Sequence, residues 1–168
     1  MSYAVFLLAF VTFQRLSELV IARRNTQRLL EAGGVEVGRE HYPLIVALHA
    51  AWLLGLWALG WDEPINAVWL GVYALLQVLR GWVLGSLGAR WTTRIIVVPG
   101  ESLVKRGPYR WLPHPNYLVV AGEIAVLPLT LGLGWYAALF SVLNAAVLSV
   151  RIRAESRALA EARRPALR

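Results

Sequence analysis

The sequence predicts an all-α integral membrane helical bundle of about five transmembrane helices with a C-terminal cytoplasmic helix extension. Three observations carry that prediction. Hydrophobic residues make up 58% of the 168-residue chain and charged residues only 16%, whereas a soluble domain carries about 25% charged residues. The charges cluster, which leaves long apolar runs between them. Eight Trp and six Tyr supply the amphipathic rings that gather at membrane–water interfaces.

A bilayer core of ~30 Å asks for roughly 20 helical residues. Apolar segments of about that kind run over 3–22, 44–60, 66–88, 117–132 and 135–150. The first lacks the basic flank and small-residue cleavage site of a signal peptide, so it reads as a span. The second, fourth and fifth are short, and only "GLG" separates the last two, which predicts a tight helical hairpin. No helix breaker stands between Asn144 and Arg164, so the fifth span is expected to run on as an extramembrane helix. On it, Asn144, Leu148, Arg151, Glu155 and Leu159 fall on one stripe. The whole chain, 1–168, reads as one domain, with N-terminal spans over 1–88 and a loop, hairpin and C-terminal helix over 89–168. No repeat, low-complexity tract or linker interrupts it.

Orientation follows from the basic residues. The 23–43 and 89–116 connections and the tail after 150 hold 15 of the 17 Lys and Arg, and Arg15 and Arg80 lie inside spans. The opposite side has no basic residue, and its 61–65 turn carries Asp62 and Glu63. Positive charge marks the cytoplasmic side. The expected arrangement is therefore a multi-pass cell (inner) membrane protein with its N-terminus outside and its long loops, C-terminus and site cytoplasmic. The same rule accounts for the net charge of +7 without nucleic acid as a partner.

Several polar residues fall inside apolar segments: Arg15, Glu18, His49, Gln77, Arg80, Glu123 and Asn144. Charges in a bilayer cost about 2.5–3.5 kcal/mol each on insertion scales and are functional candidates by default. All seven lie in the cytoplasmic half of the assigned topology, as lining a polar cavity open to the cytosol would require. Bland alternatives stand beside that reading. Arg15 and Glu18 are three apart and can pair along their own helix, Arg80 can snorkel to the interface, and His49 can be a packing histidine. Glu123, six residues past Tyr117, is either structural or functional. Arg151 and Glu155, at i and i+4, are either a site or a solvated ion pair.

Composition and spacing exclude several chemistries. Without cysteine there is no disulfide, thiolate nucleophile or Cys-based metal site. Three scattered His give no metal-ligand spacing. The serines lack a Gly-x-Ser-x-Gly elbow, and no Gly-x-Gly-x-x-Gly or P-loop is present. What remains is "GPYRWLPHPNYL", residues 107–118, a proline-stiffened aromatic loop at the mouth of an apolar helix. With an Arg and an acid beside it, such a loop can hold a zwitterionic cytosolic molecule next to a lipid-soluble one.

"ESLVKRGPYRWLPHPNYL", the apolar hairpin after it and then "RIRAES" resemble the isoprenylcysteine carboxyl methyltransferase family of integral membrane methyltransferases. They are similar, more distantly, to phospholipid N-methyltransferases. The resemblance covers roughly residues 90–160 and rests on the order Gly-x-Tyr, His-Pro-x-Tyr, hairpin, Arg-x-x-x-Glu. Residues 1–88 match only as apolar helices. The residue before His114 is usually Arg in that family and is Pro113 here, which leaves Arg106 or Arg110 as substitutes.

The resemblance implies S-adenosyl-L-methionine (SAM) as cofactor without a Rossmann domain. It implies that Arg94, Glu101, Ser102, Leu103 and Val104 wrap the cofactor and that Tyr109, His114, Pro115, Asn116 and Tyr117 line its pocket. It further implies that Glu155 binds the cofactor and that Arg151, the expected catalytic residue, faces the acceptor. Glu123 and Asn144 are the further candidates for acceptor contact, and no metal is expected. The implied reaction is O-methylation of a lipophilic membrane-embedded acceptor, a carboxylate in the case of a prenylated C-terminal cysteine. The alternatives are O-methylation of alkylpyrone or alkylresorcinol lipids, phospholipid N-methylation, and a non-enzymatic small transporter or scaffold. A transporter would need a polar path through the outer half, which the sequence lacks.

Overall fold

The computed structural model describes residues 2–100 and 104–162. Five helices form the bundle: α1 (Tyr3–Glu31), α2 (Tyr42–Gly60), α3 (Ala67–Leu87), α4 (Pro115–Thr130) and α5 (Gly134–Ala162). Four of them, α1, α2, α3 and α5, are long and apolar enough to cross a membrane. α4 has 16 residues, about 24 Å at 1.5 Å per residue, which is short of a ~30 Å hydrocarbon core.

Local signals set the helix ends. The Ser2 side chain caps α1 by accepting from the Ala4 N–H. The sequence places the end of this span near 22, but the helix continues nine residues further, to Glu31. "RRNTQRLLE" contains no Gly or Pro and is mostly good helix former, so nothing stops it. Termination comes at Gly33, which takes φ +85, a conformation glycine adopts at no steric cost. Asn66 caps α3 by accepting from the Val68 and Trp69 N–H groups. Its own N–H donates to the Thr130 carbonyl at 2.8 Å, tying the start of α3 to the end of α4. Pro115 occupies the first turn of α4, where a missing N–H costs nothing. The expected hairpin and the continuation of α5 past residue 150 are both present.

The core lies between the helices and is apolar: Leu8 and Val11 of α1, Trp52 and Leu56 of α2, Ile124 and Leu127 of α4, and Tyr136 and Phe140 of α5. Helices approach where side chains vanish. A Cβ on Gly55 would lie 2.0 Å from the Tyr136 hydroxyl, which donates to the Trp52 carbonyl at 3.0 Å. A Cβ on Gly122 would press on Leu76. The outward faces carry Phe6, Phe13, Leu54, Val78 and Val142, the composition expected of surface in contact with lipid.

One element is absent from the sequence expectation. β1 (Val35–Val37) and β2 (Ile95–Val97) pair antiparallel, with Val35 opposite Val97 and Val37 opposite Ile95. The strands join the α1–α2 connection to the segment after α3. Asn25, buried in the extended part of α1, adds to this tie by donating to the Trp91 carbonyl at 2.8 Å. The two basic connections and the 107–114 turn are thereby assembled at one end of the bundle, called here the basic end.

Candidate functional site

The aromatic loop is fixed by contacts that its sequence dictates. Gly107 takes φ +57, and a Cβ there would lie 2.0 Å from Ser86 Oγ. Only glycine meets both conditions. Pro108 is buried beside it. Arg106 Nε donates to the Ser86 carbonyl at 2.8 Å, and Trp111 packs edge-on to Trp82 with centroids 5.9 Å apart. The loop is therefore docked on the last turn of α3 before it turns into α4.

Beneath it lies a cavity of about 1130 Å³. Small-molecule sites run to about 300–1,000 Å³, so this one has room for more than one ligand. It is lined by the loop, by the 91–98 segment, by the inner faces of α1 and α2, and by α5 through Leu148, Arg151, Glu155 and Leu159.

Near the loop the polar groups are paired in a specific way. Tyr117 Oη donates to Glu155 Oε2. His114 Nδ1 stands 3.8 Å from Glu155 Oε1, its Nε2 is 3.2 Å from Ser156 Oγ, and its ring tilts toward Tyr117 at 5.6 Å. Arg151 is buried and donates from Nη2 to the Thr93 carbonyl at 2.9 Å. Arg151 and Glu155, one turn apart, are not paired with each other; the Tyr117 hydroxyl interacts with both, and Arg151 alone reaches the Thr93 carbonyl. Thr93 Oγ1 is also 3.1 Å from Tyr42 Oη. Arg94 Nη1 donates to both Glu36 oxygens, at 2.7 and 3.0 Å, while its guanidinium stacks 4.5 Å over the Tyr42 ring. Burial first, and the Glu155 carboxylate second, push the Tyr109 hydroxyl well above its ordinary pKa, so it stays a neutral donor. Asn116 Oδ1 is buried without a hydrogen-bond partner among the described residues.

Of the residues singled out in the sequence, Arg94, Val104, Tyr109, His114, Asn116, Tyr117, Arg151 and Glu155 all line this one cavity. Pro115 is buried as the first residue of α4. Glu101, Ser102 and Leu103 lie outside the described residues. Glu123 and Asn144 are each 1% exposed and are not among the residues lining the cavity. Arg106 is bound to Ser86, and Arg110 reaches the cavity rim. Sequence reasoning missed Glu36, Tyr42 and Thr93. The β-branched residues bounded by glycine or proline in "GVEVG" and "RIIVVPG" were the available signal for the strands that bring them in.

The charged residues within the spans form a network. Arg80 forks onto Glu18 through Nε and Nη2 and reaches Glu123 from Nη1 at 2.7 Å. Arg15 bridges the same two acids, at 3.2 Å to Glu18 and 2.8 Å to Glu123. Gln14 and Gln77 bond each other at 2.7 Å, and each also donates to one of the acids. Two guanidiniums offset two carboxylates, joining α1, α3 and α4. Arg80 is 5% exposed: it pairs inside the bundle rather than snorkelling. Arg15 does pair along its own helix with Glu18, but that contact is one strand of a wider web.

An apolar helical bundle with a cavity at its basic end is a multi-pass membrane protein by length and composition of its helices. The isoprenylcysteine carboxyl methyltransferase family matches residues 69–161, and the chain belongs to that family. A Bacillus subtilis (strain 168) relative, described as uncharacterized protein YpbQ, is 46% identical over 160 residues, spanning 92% of this chain and 95% of its own length. No solved structure matches the chain.

Proposed function

We propose that the protein is a SAM-dependent methyltransferase that methylates an oxygen of a lipophilic acceptor held in the membrane. The observation that carries this reading is the division of labour in one cavity. Glu155 and Arg151, a turn apart, are held by Tyr117 and by the Thr93 carbonyl respectively, and both line the same space beneath the aromatic loop.

The residues present suit a zwitterionic sulfonium cofactor. Glu155 offers an acceptor for its ammonium. The unpartnered Asn116 Oδ1 offers a second acceptor for an N–H. The Tyr109 and Tyr117 rings offer π-faces for a cation and for adenine. Prolines 108, 113 and 115 reduce the loop's freedom before binding, so these walls stand ready. When bound, SAM supplies an electrophilic methyl carbon. Arg151 then has one task, to orient an anionic acceptor oxygen with its planar guanidinium. A carboxylate such as that of a prenylated cysteine is anionic at neutral pH and needs no base. The chain's contribution is positioning and exclusion of water, and good orientation alone reaches effective molarities on the order of 10⁵ M or more.

The basic end faces the cytosol on this reading, by the positive-inside rule, so cofactor arrives from water and acceptor from lipid. Two measurements test it. Titration calorimetry of the purified protein with SAM should show saturable micromolar binding. Membranes incubated with methyl-labelled SAM should yield a labelled lipophile by mass spectrometry that is missing with Glu155→Gln. A folded protein that binds no SAM overturns the reading.

A further inference from the structure

The deep end of the cavity carries a second polar cluster that the cofactor and Arg151 leave unused. Arg15, His49 and Trp52 all line the cavity there. The Arg15 Nη atoms are engaged by Glu18 and Glu123, but its Nε–H is buried without a partner among the described residues. Trp52 is 1% exposed, and its Nε1–H is likewise without a partner among them. His49 Nδ1 is 2.9 Å from the Ile45 carbonyl. A carbonyl only accepts, so Nδ1 carries the hydrogen and Nε2 is left as a lone-pair acceptor. No described residue bonds that Nε2. His49 and Trp52 are three apart on α2 and share a face.

Buried donors in native proteins are satisfied almost without exception, so two orphans and a free acceptor on one cavity wall indicate a guest. Its charge follows from the network behind it. Arg15 and Arg80 are already offset by Glu18 and Glu123, so the floor has no spare charge to offer an ion. Two N–H donors and one nitrogen acceptor match a neutral oxygen that both accepts and donates, namely a hydroxyl. The adjoining walls are Leu16, Leu19 and Val46, which are also exposed on the outer surface of α1 and α2. A chain attached to the bound group therefore has an apolar route toward lipid.

We propose that the cavity floor is a recognition subsite for an uncharged hydroxyl of a membrane lipophile, with Trp52 and Arg15 donating to its oxygen and His49 accepting its proton in a hydrogen bond. The proposal rests on the acceptor half of the reading above and names a second polar group on the acceptor, apart from the oxygen oriented by Arg151.

The test uses the full chain in phosphatidylcholine nanodiscs without SAM. Affinities are measured for 1-hexadecanol and for hexadecyl methyl ether, which keeps the oxygen and loses the donor. A site built to bond a hydroxyl discriminates strongly against its capped analogue, so wild type should prefer the alcohol by about tenfold or more. His49→Leu should bring the ratio within about twofold, and His49→Gln, which retains an acceptor, should restore part of it; Trp52→Phe, which removes a donor that the oxygen of both probes uses, should weaken both probes together. Wild type binding both probes equally means that water alone satisfies the floor and overturns the proposal. So does a preference that survives in His49→Leu. If His49→Leu fails to fold, Trp52→Phe decides through absolute affinity: an alcohol affinity equal to wild type in that variant also overturns the proposal. SAM titration of the same samples is read separately: its failure in wild type rejects the cofactor reading and leaves the hydroxyl preference standing.

Discussion

Replacing Glu155 by Gln removes one charge and almost no volume. In the structure the carboxylate takes the Tyr117 hydroxyl on Oε2 and stands 3.8 Å from His114 Nδ1 on Oε1, with 27% of the side chain exposed. The oxygens are thus anchored on one side and accessible on the other. A cofactor ammonium on the accessible side would make a charge-assisted hydrogen bond, about 1.5–3 kcal/mol, so Glu155→Gln should weaken SAM binding roughly 10- to 150-fold. Tyr117→Phe removes the neutral donor that holds the carboxylate, together with the hydroxyl's contact to Arg151, about 0.5–1.5 kcal/mol, or roughly 2- to 12-fold. Because both changes act through one carboxylate, they should couple, by about 0.5 kcal/mol or more in a double-mutant cycle. The assay is calorimetric SAM titration of wild type, both single variants and the double, with melting temperature recorded for each. If Glu155→Gln binds SAM within about twofold of wild type at an unchanged melting temperature, Glu155 is not the ammonium partner.

Four further outcomes are expected. Arg151→Lys keeps the charge but loses the fork, so acceptor turnover should fall about tenfold or more while SAM affinity stays near wild type; equal damage to both would move the acceptor's anchor elsewhere. Glu123→Ala strands Arg15 and Arg80 on a single acid and should cost about 3–5 kcal/mol in detergent unfolding; a variant that keeps its stability and loses acceptor affinity would make Glu123 an acceptor contact instead. Gly107→Ala meets both a positive φ and Ser86, a strain of about 1–3 kcal/mol. Circular dichroism should show the helices intact and calorimetry should show weakened SAM binding, with only partial recovery in Gly107→Ala/Ser86→Gly because the φ remains. Reporter fusions should place the N-terminus outside and the C-terminus in the cytosol, and finding both ends on one side would refute the topology drawn from the basic loops.

The sequence by itself determined the helices and the chemistry-bearing loop. In hydrocarbon every backbone polar group must be satisfied within its own segment, so an apolar run of sufficient length leaves a helix as its outcome. The end of α1 was missed because a basic stretch without breakers extends a helix beyond the membrane as readily as it opens a loop. The proline-stiffened loop and the helix stripe that carries Arg151 and Glu155 were legible because their spacing is local, while the roles expected of these residues came from the resemblance to the family. Tertiary structure decided what local spacing cannot encode. Arg15 pairs with Glu123, 108 positions away, Arg80 turns inward to Glu18, 62 positions away, and Arg94, next to one of the paired three-residue strands, meets Glu36, 58 positions away. Such pairs leave no periodic trace, because an acid and a base far apart in the chain look the same whether they meet or not. The same holds for the cavity floor: His49 reads as a packing histidine and Trp52 as core until α1 and α2 close around them. Only the folded bundle, by burying the Trp52 Nε1–H and the Arg15 Nε–H without partners among the described residues and by leaving His49 Nε2 as a free acceptor, shows that these residues have hydrogen bonds still to make.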